Sequence, residues 1–192
     1  VVGEVLRNKI SMRYTIAAGF VSSPFIGYLN SAQPIFQDQY GLGEQFALYF
    51  AICAIALGSA AFLNGKLVLR FGMRMMSKWA VAIQVSIAAV SLIGVYAFNG
   101  HPPLWLFMVY LVFVLFCNGI LFGNLNALAM EPLGHIAGVG AAVVGSLSTF
   151  ISIPFGIIIG RSFNGTVFPL CAGFAVFSAL TFVSLFSSDG KE

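Results

Sequence analysis

Six long apolar runs, separated by short polar breaks, set the pattern of this chain. The first covers about Tyr14–Phe36 and the second about Gln45–Leu69. The third covers about Lys78–Phe98, the fourth Leu104–Met130, the fifth Ala137–Arg161 and the sixth Thr166–Phe186. The breaks are built of residues that stop helices: Gln33-Pro34, Asn99-Gly100-His101-Pro102-Pro103, Glu131-Pro132-Leu133-Gly134-His135 and Asn164-Gly165. Pro102 and Pro103 suit the first turn of the fourth run. Each run is long enough to cross a bilayer as a helix. Open strands cannot face lipid, because each unpaired backbone group costs several kcal/mol there, and the alternation a barrel requires is not visible. The pattern predicts an all-α membrane protein of six transmembrane helices over residues 14–186, with a juxtamembrane segment 1–13 before them and a polar tail 187–192 after them.

Composition strengthens this reading. The chain is 59% hydrophobic and 8% charged, with a mean hydropathy of +0.97, whereas soluble domains are about a quarter charged. Such a chain has too few polar residues to cover a surface in water. Cys53, Cys117 and Cys171 each lie inside an apolar run, far from any metal-ligand spacing, and read as buried small apolar residues. The chain opens Val1-Val2-Gly3-Glu4 and approaches its first run through Arg7, Lys9 and Arg13, which reads as an interior loop of something longer.

Charge then supplies an orientation. Lys66, Arg70, Arg74 and Lys78 lie close together between the second and third runs with no acid among them, a compact basic turn. With Arg7, Lys9, Arg13 and Lys191 they fall on one side of the predicted membrane, and Arg161 alone falls on the other. This bias places both termini and the basic turn in the cytoplasm. The net charge of +3 therefore reads as a topology signal rather than a nucleic-acid surface.

Polar residues inside spans are costly and mark pathways or helix contacts. In the first run Ser23, Gly27, Asn30 and Gln33 recur at helical spacing, with Pro24 and Pro34 beside them. They line a water-accessible cavity or serve close helix packing. In the fourth run Asn118, Phe122 and Asn126 share a face, while Asn124 falls on another; they form a binding wall or an interhelical hydrogen bond. The fifth run holds small residues at intervals of four, Ala137, Ala141 and Gly145 beside Gly138, Ala142 and Ser146, as closely packed helices do. The third and sixth runs are apolar almost throughout, apart from Gln84 and scattered hydroxyls, and read as the lipid-facing pair. No set of nucleophile, base and acid, no metal-binding motif and no phosphate loop occurs, so neither catalysis nor a metal or cofactor is expected.

The turn Gly65-(x4)-Arg70-Phe71-Gly72-Met73-Arg74 is similar to the signature of the major facilitator superfamily between its second and third helices, and to its degenerate copy between the eighth and ninth. Leu69 stands where the full signature has Asp, which points to the degenerate copy. The stretches Gly27–Phe36, Tyr40–Leu42 and Asn126–Pro132, followed by Ala137-Gly138, resemble the C-terminal half of the Bcr/CflA multidrug efflux family. That resemblance implies that the six runs are the seventh to twelfth helices of a 12-helix transporter, whose seventh, eighth, tenth and eleventh line a central cavity. It implies a substrate cavity at Ser23, Asn30, Gln33, Asn118, Phe122 and Asn126, and a cytoplasmic signature loop at Gly65, Arg70, Gly72 and Arg74. It also implies efflux of small drug-like molecules by proton antiport in a bacterial inner membrane. The proton-coupling acids would then belong to an N-terminal six-helix half that this chain lacks. A stand-alone six-helix protein, acting as a dimer or a non-transporting membrane partner, is the alternative.

Overall fold

A computed structural model describes residues 2–187. The tail beyond Ser187, including Lys191, lies outside the described residues. After a short helix α1 (Val2–Arg7) come six long helices: α2 (Lys9–Gln33), α3 (Phe46–Phe71), α4 (Met73–Ala97), α5 (Leu104–Met130), α6 (Ala137–Arg161) and α7 (Phe168–Phe186). Among the described residues, four apolar helical stretches are long and apolar enough to cross a membrane. The longest, Leu104–Arg161, has 58 residues and contains both α5 and α6. α2 is not among them, because its apolar residues are diluted by Ser, Thr, Asn, Gln and Pro24.

The structure moves several expected boundaries. α2 starts at Lys9 rather than Tyr14, where the Asn8 side chain accepts a hydrogen bond from the Ser11 N–H at 3.0 Å and caps the first turn. Past Gln33 it loosens into a π-helical turn, Pro34–Gln39, because Pro34 brings no N–H and the following turns are wider. The basic turn is a single residue. α3 runs through Arg70 to Phe71, α4 begins at Met73, and Gly72 alone breaks the helix at φ 79°, ψ 152°. That conformation is open essentially to glycine only. Long Lys and Arg stems let both helices continue past the apolar zone with their charges in water.

α2 and α5 form the centre. α5 packs on α2, α3 and α4, while α7 closes the far side by packing on α2 and α4; α6 lies along α2. The α2–α6 contact is the most extensive, and glycines set it. Gly19 lies opposite Ile151, Gly27 opposite Ile159, Gly156 opposite Ile26, and Gly160 opposite the Cβ of Asn30. A methyl group at any of these would come within 2.5–2.9 Å of the facing side chain, so the backbones approach only because no side chain stands between them. The stripe expected to do this, Ala137, Ala141 and Gly145 with Gly138, Ala142 and Ser146, is instead exposed. α3 is also thinly covered, with Leu48, Ile55 and Phe62 all more than 60% exposed. α4 and α7 each pack one face on the bundle and turn Ile83, Val90, Ile93, Val176 and Val183 outward.

The apolar core divides in two. One cluster, around Phe36, Phe107, Leu111, Leu170 and Phe174, fills the end away from the basic residues. The other, around Tyr14, Val81, Leu121, Leu128 and Leu185, fills the basic end. Between them Ser23, Gln84 and Asn118 lie fully buried. At the far end three turns are tied together. Gln39 Nε2 and the Val167 N–H both donate to the Gly100 carbonyl, at 3.2 Å and 3.1 Å. The Tyr40 hydroxyl donates to the Pro102 carbonyl at 2.8 Å. Burial pushes the Tyr40 phenol pKa up, so it remains a neutral donor.

Candidate substrate cleft

The residues expected to line a cavity divide into two groups. Ser23 and Asn118 are inside the bundle. The Ser23 hydroxyl donates to the Gly19 carbonyl one turn back, at 2.8 Å. Asn118 Oδ1 accepts from Gln84 Nε2 at 2.7 Å, and its Nδ2 reaches toward the Val21 carbonyl at 3.5 Å. Asn118 thus joins α5 to α4 and α2 across the polar layer and faces no open space. Asn30, Gln33 and Asn126 are exposed, and Phe122 is half-buried.

These exposed residues sit at different levels. The Phe25 and Phe122 rings meet edge to face, 5.4 Å between centroids. Asn30 is five residues past Phe25 toward the far end, about 7 Å along the helix, and Gln33 is further still. Asn126 is four residues past Phe122 toward the basic end, about 6 Å. Gln33 Nε2 contacts Gln37 Oε1 at 3.4 Å, and Asn126 Nδ2 donates to its own Phe122 carbonyl at 2.8 Å.

At ring level the structure forms a cleft between α2, α3 and α5 that the sequence pattern did not reveal. A space of about 190 Å³ is lined by Phe25, Tyr28, Phe50 and Cys53, among others. A neighbouring space of about 360 Å³ is lined by Gly58, Ala61, Asn64, Gly119, Phe122 and Gly123. Ala54 and Leu57 border both. Tyr28 stacks on Phe50, 5.9 Å between centroids and 10° between planes. Among the described residues its buried hydroxyl meets no hydrogen-bond partner. The floor is fixed by an amide pair. Asn64 Nδ2 donates to Asn124 Oδ1 at 2.7 Å, and Asn124 Nδ2 donates back to Asn64 Oδ1 at 2.9 Å. All three cysteines are buried. No Lys, Arg, Asp or Glu borders either space, which presents aromatic and aliphatic surface and the Asn64 amide.

The signature residues cluster at the basic end. Gly65 and Arg70 are exposed on α3, and the Arg70 guanidinium stands 5.3 Å from the Phe71 ring centroid. Arg74 reaches Glu131 at the end of α5, 3.7 Å apart and with both side chains half exposed. A pair this open contributes little stability. Beyond it His135 Nε2 lies 2.6 Å from Glu4 and ties α1 to the turn after α5.

Two curated proteins match the chain. A protein described as the uncharacterized MFS-type transporter YdgK of Bacillus subtilis (strain 168) is 28% identical over 147 residues, covering 76% of this chain and 36% of that protein. A protein described as a bicyclomycin resistance protein homolog of Haemophilus influenzae is 22% identical over 190 residues, covering 97% of this chain and 47% of that protein. The chain spans less than half the length of these relatives. No family model matches it, and no solved structure matches it. The chain therefore resembles a part of a major facilitator transporter, and its all-helical bundle is a partial fold of that kind.

Proposed function

We propose that the chain is the C-terminal six-helix half of a transporter that moves small molecules across a membrane. The observation that carries this is the uncharged aromatic cleft between α2, α3 and α5, with exposed amides above and below it. Asn30, Gln33 and Asn126 are costly against hydrocarbon, and each fits a face closed by water and a second bundle. The uncovered α3 and the exposed small residues of α6 suit close docking of such a bundle. Substrate would bind between the two halves near mid-membrane and be released as they rock.

The finer reading is export of drug-like compounds by proton antiport, in keeping with the resistance named in the description of the Haemophilus relative. The cleft bears no carboxylate, so the coupling acids fall to the other half. Both termini would face the cytoplasm of a bacterial inner membrane, with Arg70 and Arg74 on that side.

Drug-susceptibility profiles test the cleft. In cells expressing this chain with its other half, Phe122→Ala and Asn30→Ala are expected to change resistance to some compounds about fivefold or more, roughly 1 kcal/mol, at unchanged expression. Unaltered profiles for both would remove the cleft assignment, and full transport by this chain alone would favour a homodimer. Orientation has its own test. Arg70→Glu with Arg74→Glu is expected to lower the fraction of molecules whose C-terminal reporter is cytoplasmic. An unchanged fraction would contradict the topological role given to these arginines.

A further inference from the structure

A carboxamide carries two N–H donors and an oxygen with two lone pairs. Asn64 and Asn124 spend one of each on the other, at 2.7 Å and 2.9 Å, so each keeps one N–H outside the pair. An oxygen with a spare lone pair is common in folded proteins, whereas a spare buried N–H is not. Asn124 is 2% exposed and lies inside the bundle. Asn64 is 8% exposed but borders the larger space of the cleft, and among the described residues its side chain bonds only to Asn124. Resting on the reading of the cleft as a substrate site, we infer that Asn64 determines specificity: its second Nδ2–H donates to a carbonyl oxygen of a neutral aromatic substrate.

Glycines leave room at that donor. α3 and α5 touch at Gly119, where a Cβ would press on the Leu57 carbonyl. One turn on, a Cβ at Gly123 would stand 4.0 Å from Asn64 Nδ2 and meet nothing nearer. Gly123 borders the same space as Asn64, so the gap beside Nδ2 belongs to the cleft. On the facing wall a Cβ at Gly58 would meet nothing within 4 Å, and the space stays open from that side too.

The lining decides the chemistry of the occupant. Among the described residues no charged side chain borders the cleft, so an ion entering it would lose its solvation without gaining a partner. Phe122 is half-buried beside Gly123 and offers a ring face to the same space, which suits an aromatic body. A lone N–H calls for an acceptor. A carbonyl oxygen brings no donor of its own, so its arrival leaves nothing unpaired.

Two probes isolate that hydrogen bond. In 2-acetylnaphthalene and 2-isopropylnaphthalene a carbonyl oxygen is exchanged for a methyl group of similar size. Tritiated 2-acetylnaphthalene is bound to the full chain in phosphatidylcholine nanodiscs, with 2-isopropylnaphthalene as competitor and both affinities expressed per lipid, so that partition into the bilayer cancels. The ketone is expected to bind about fivefold more tightly, as one net hydrogen bond gives. Gly123→Ala sets a methyl over Asn64 Nδ2 and should bring the two probes to near-equal affinity while the chain melts near the parent. Asn64→Leu with Asn124→Leu, which leaves neither amide stranded, should do the same. Asn124→Leu alone should keep the preference, because Asn64 still offers its N–H to the cleft. Equal affinities in the parent, or a preference that survives both Gly123→Ala and the double variant, would overturn the role of Asn64 and leave the cleft as a substrate site. Binding of neither probe above bilayer partition would overturn both.

Discussion

Gly119→Ala is expected to separate α3 from α5. A Cβ at this position would lie 2.4 Å from the Leu57 carbonyl oxygen and 2.8 Å from the Ala60 Cβ. The first obstacle is backbone, which no side-chain rotation can move, so α3 as a whole must shift. Overpacking of this kind costs about 1–3 kcal/mol. A shift of α3 would also stretch the Asn64–Asn124 pair one turn further on, adding about 0.6–2 kcal/mol for an interhelical hydrogen bond in a membrane bundle. A thiol-reactive dye followed during heating in detergent reads the result, because all three cysteines are buried. Cys53, on the face of α3 that meets α5, should react at a clearly lower temperature than in the parent chain. Gly123→Ala is the control, since a Cβ there meets only Asn64 Nδ2 at 4.0 Å and should melt near the parent. Equal melting of the Gly119 variant and the parent would mean that the helices are not this close.

The fold was largely legible in the sequence, for a reason special to its solvent. In lipid every backbone group must be satisfied within its own helix, so long apolar runs admit one answer. The limits of α5 and α6 fall where Pro103, Glu131-Pro132 and Arg161 suggest. The start of α4 was less legible. Arg74 and Lys78 look like turn residues because they are charged, yet they extend a helix into the interface. The exposed small residues of α6 left their neighbour unspecified for a related reason. A stripe of Ala and Gly shows that a helix can be approached closely, but not which neighbour approaches. The α2–α6 contact passes instead through Gly156 and Gly160, where α2 offers Ile26 and Asn30.

The cleft was only partly legible. Helical spacing put Asn30, Gln33, Phe122 and Asn126 on faces that are at least partly open, but it places Ser23 and Asn118 on the same lists. Spacing gives an angle around one helix and carries no information about which helix stands opposite. Asn64 was hidden among basic residues, and its partner Asn124 is 60 positions away. Asn124 fell on a different face from Asn118 and Asn126 because that face belongs to α3. The aromatic wall of Phe25, Tyr28 and Phe50 draws on two helices, so no single-helix pattern contains it.

Asn118→Leu is expected to destabilise the bundle, and Gln84→Leu added to it is expected to recover part of the loss. Asn118 is fully buried and Gln84 is 2% exposed, in the polar layer that separates the two halves of the apolar core. Asn118→Leu leaves Gln84 Nε2 only its longer 3.4 Å contact with the Val114 carbonyl, and Gln84→Leu takes away the donor to Asn118 Oδ1, each at a cost of about 1–3 kcal/mol. With both amides gone no buried donor is left waiting, and two leucines join the apolar clusters on either side. The double variant should therefore be more stable than the two single losses added together predict, by a coupling of about 0.6–2 kcal/mol. The cysteine-reactivity melt measures this, with Cys117 next to the altered residue. A cavity role for Asn118 predicts something else: near-parent stability for Asn118→Leu, strict additivity with Gln84→Leu, and a changed substrate profile. Since the Asn118 carbonyl is met by Gln84 Nε2 at 2.7 Å, the melt and the resistance profile of the same variants decide between a fastener of the bundle and a wall of the cleft.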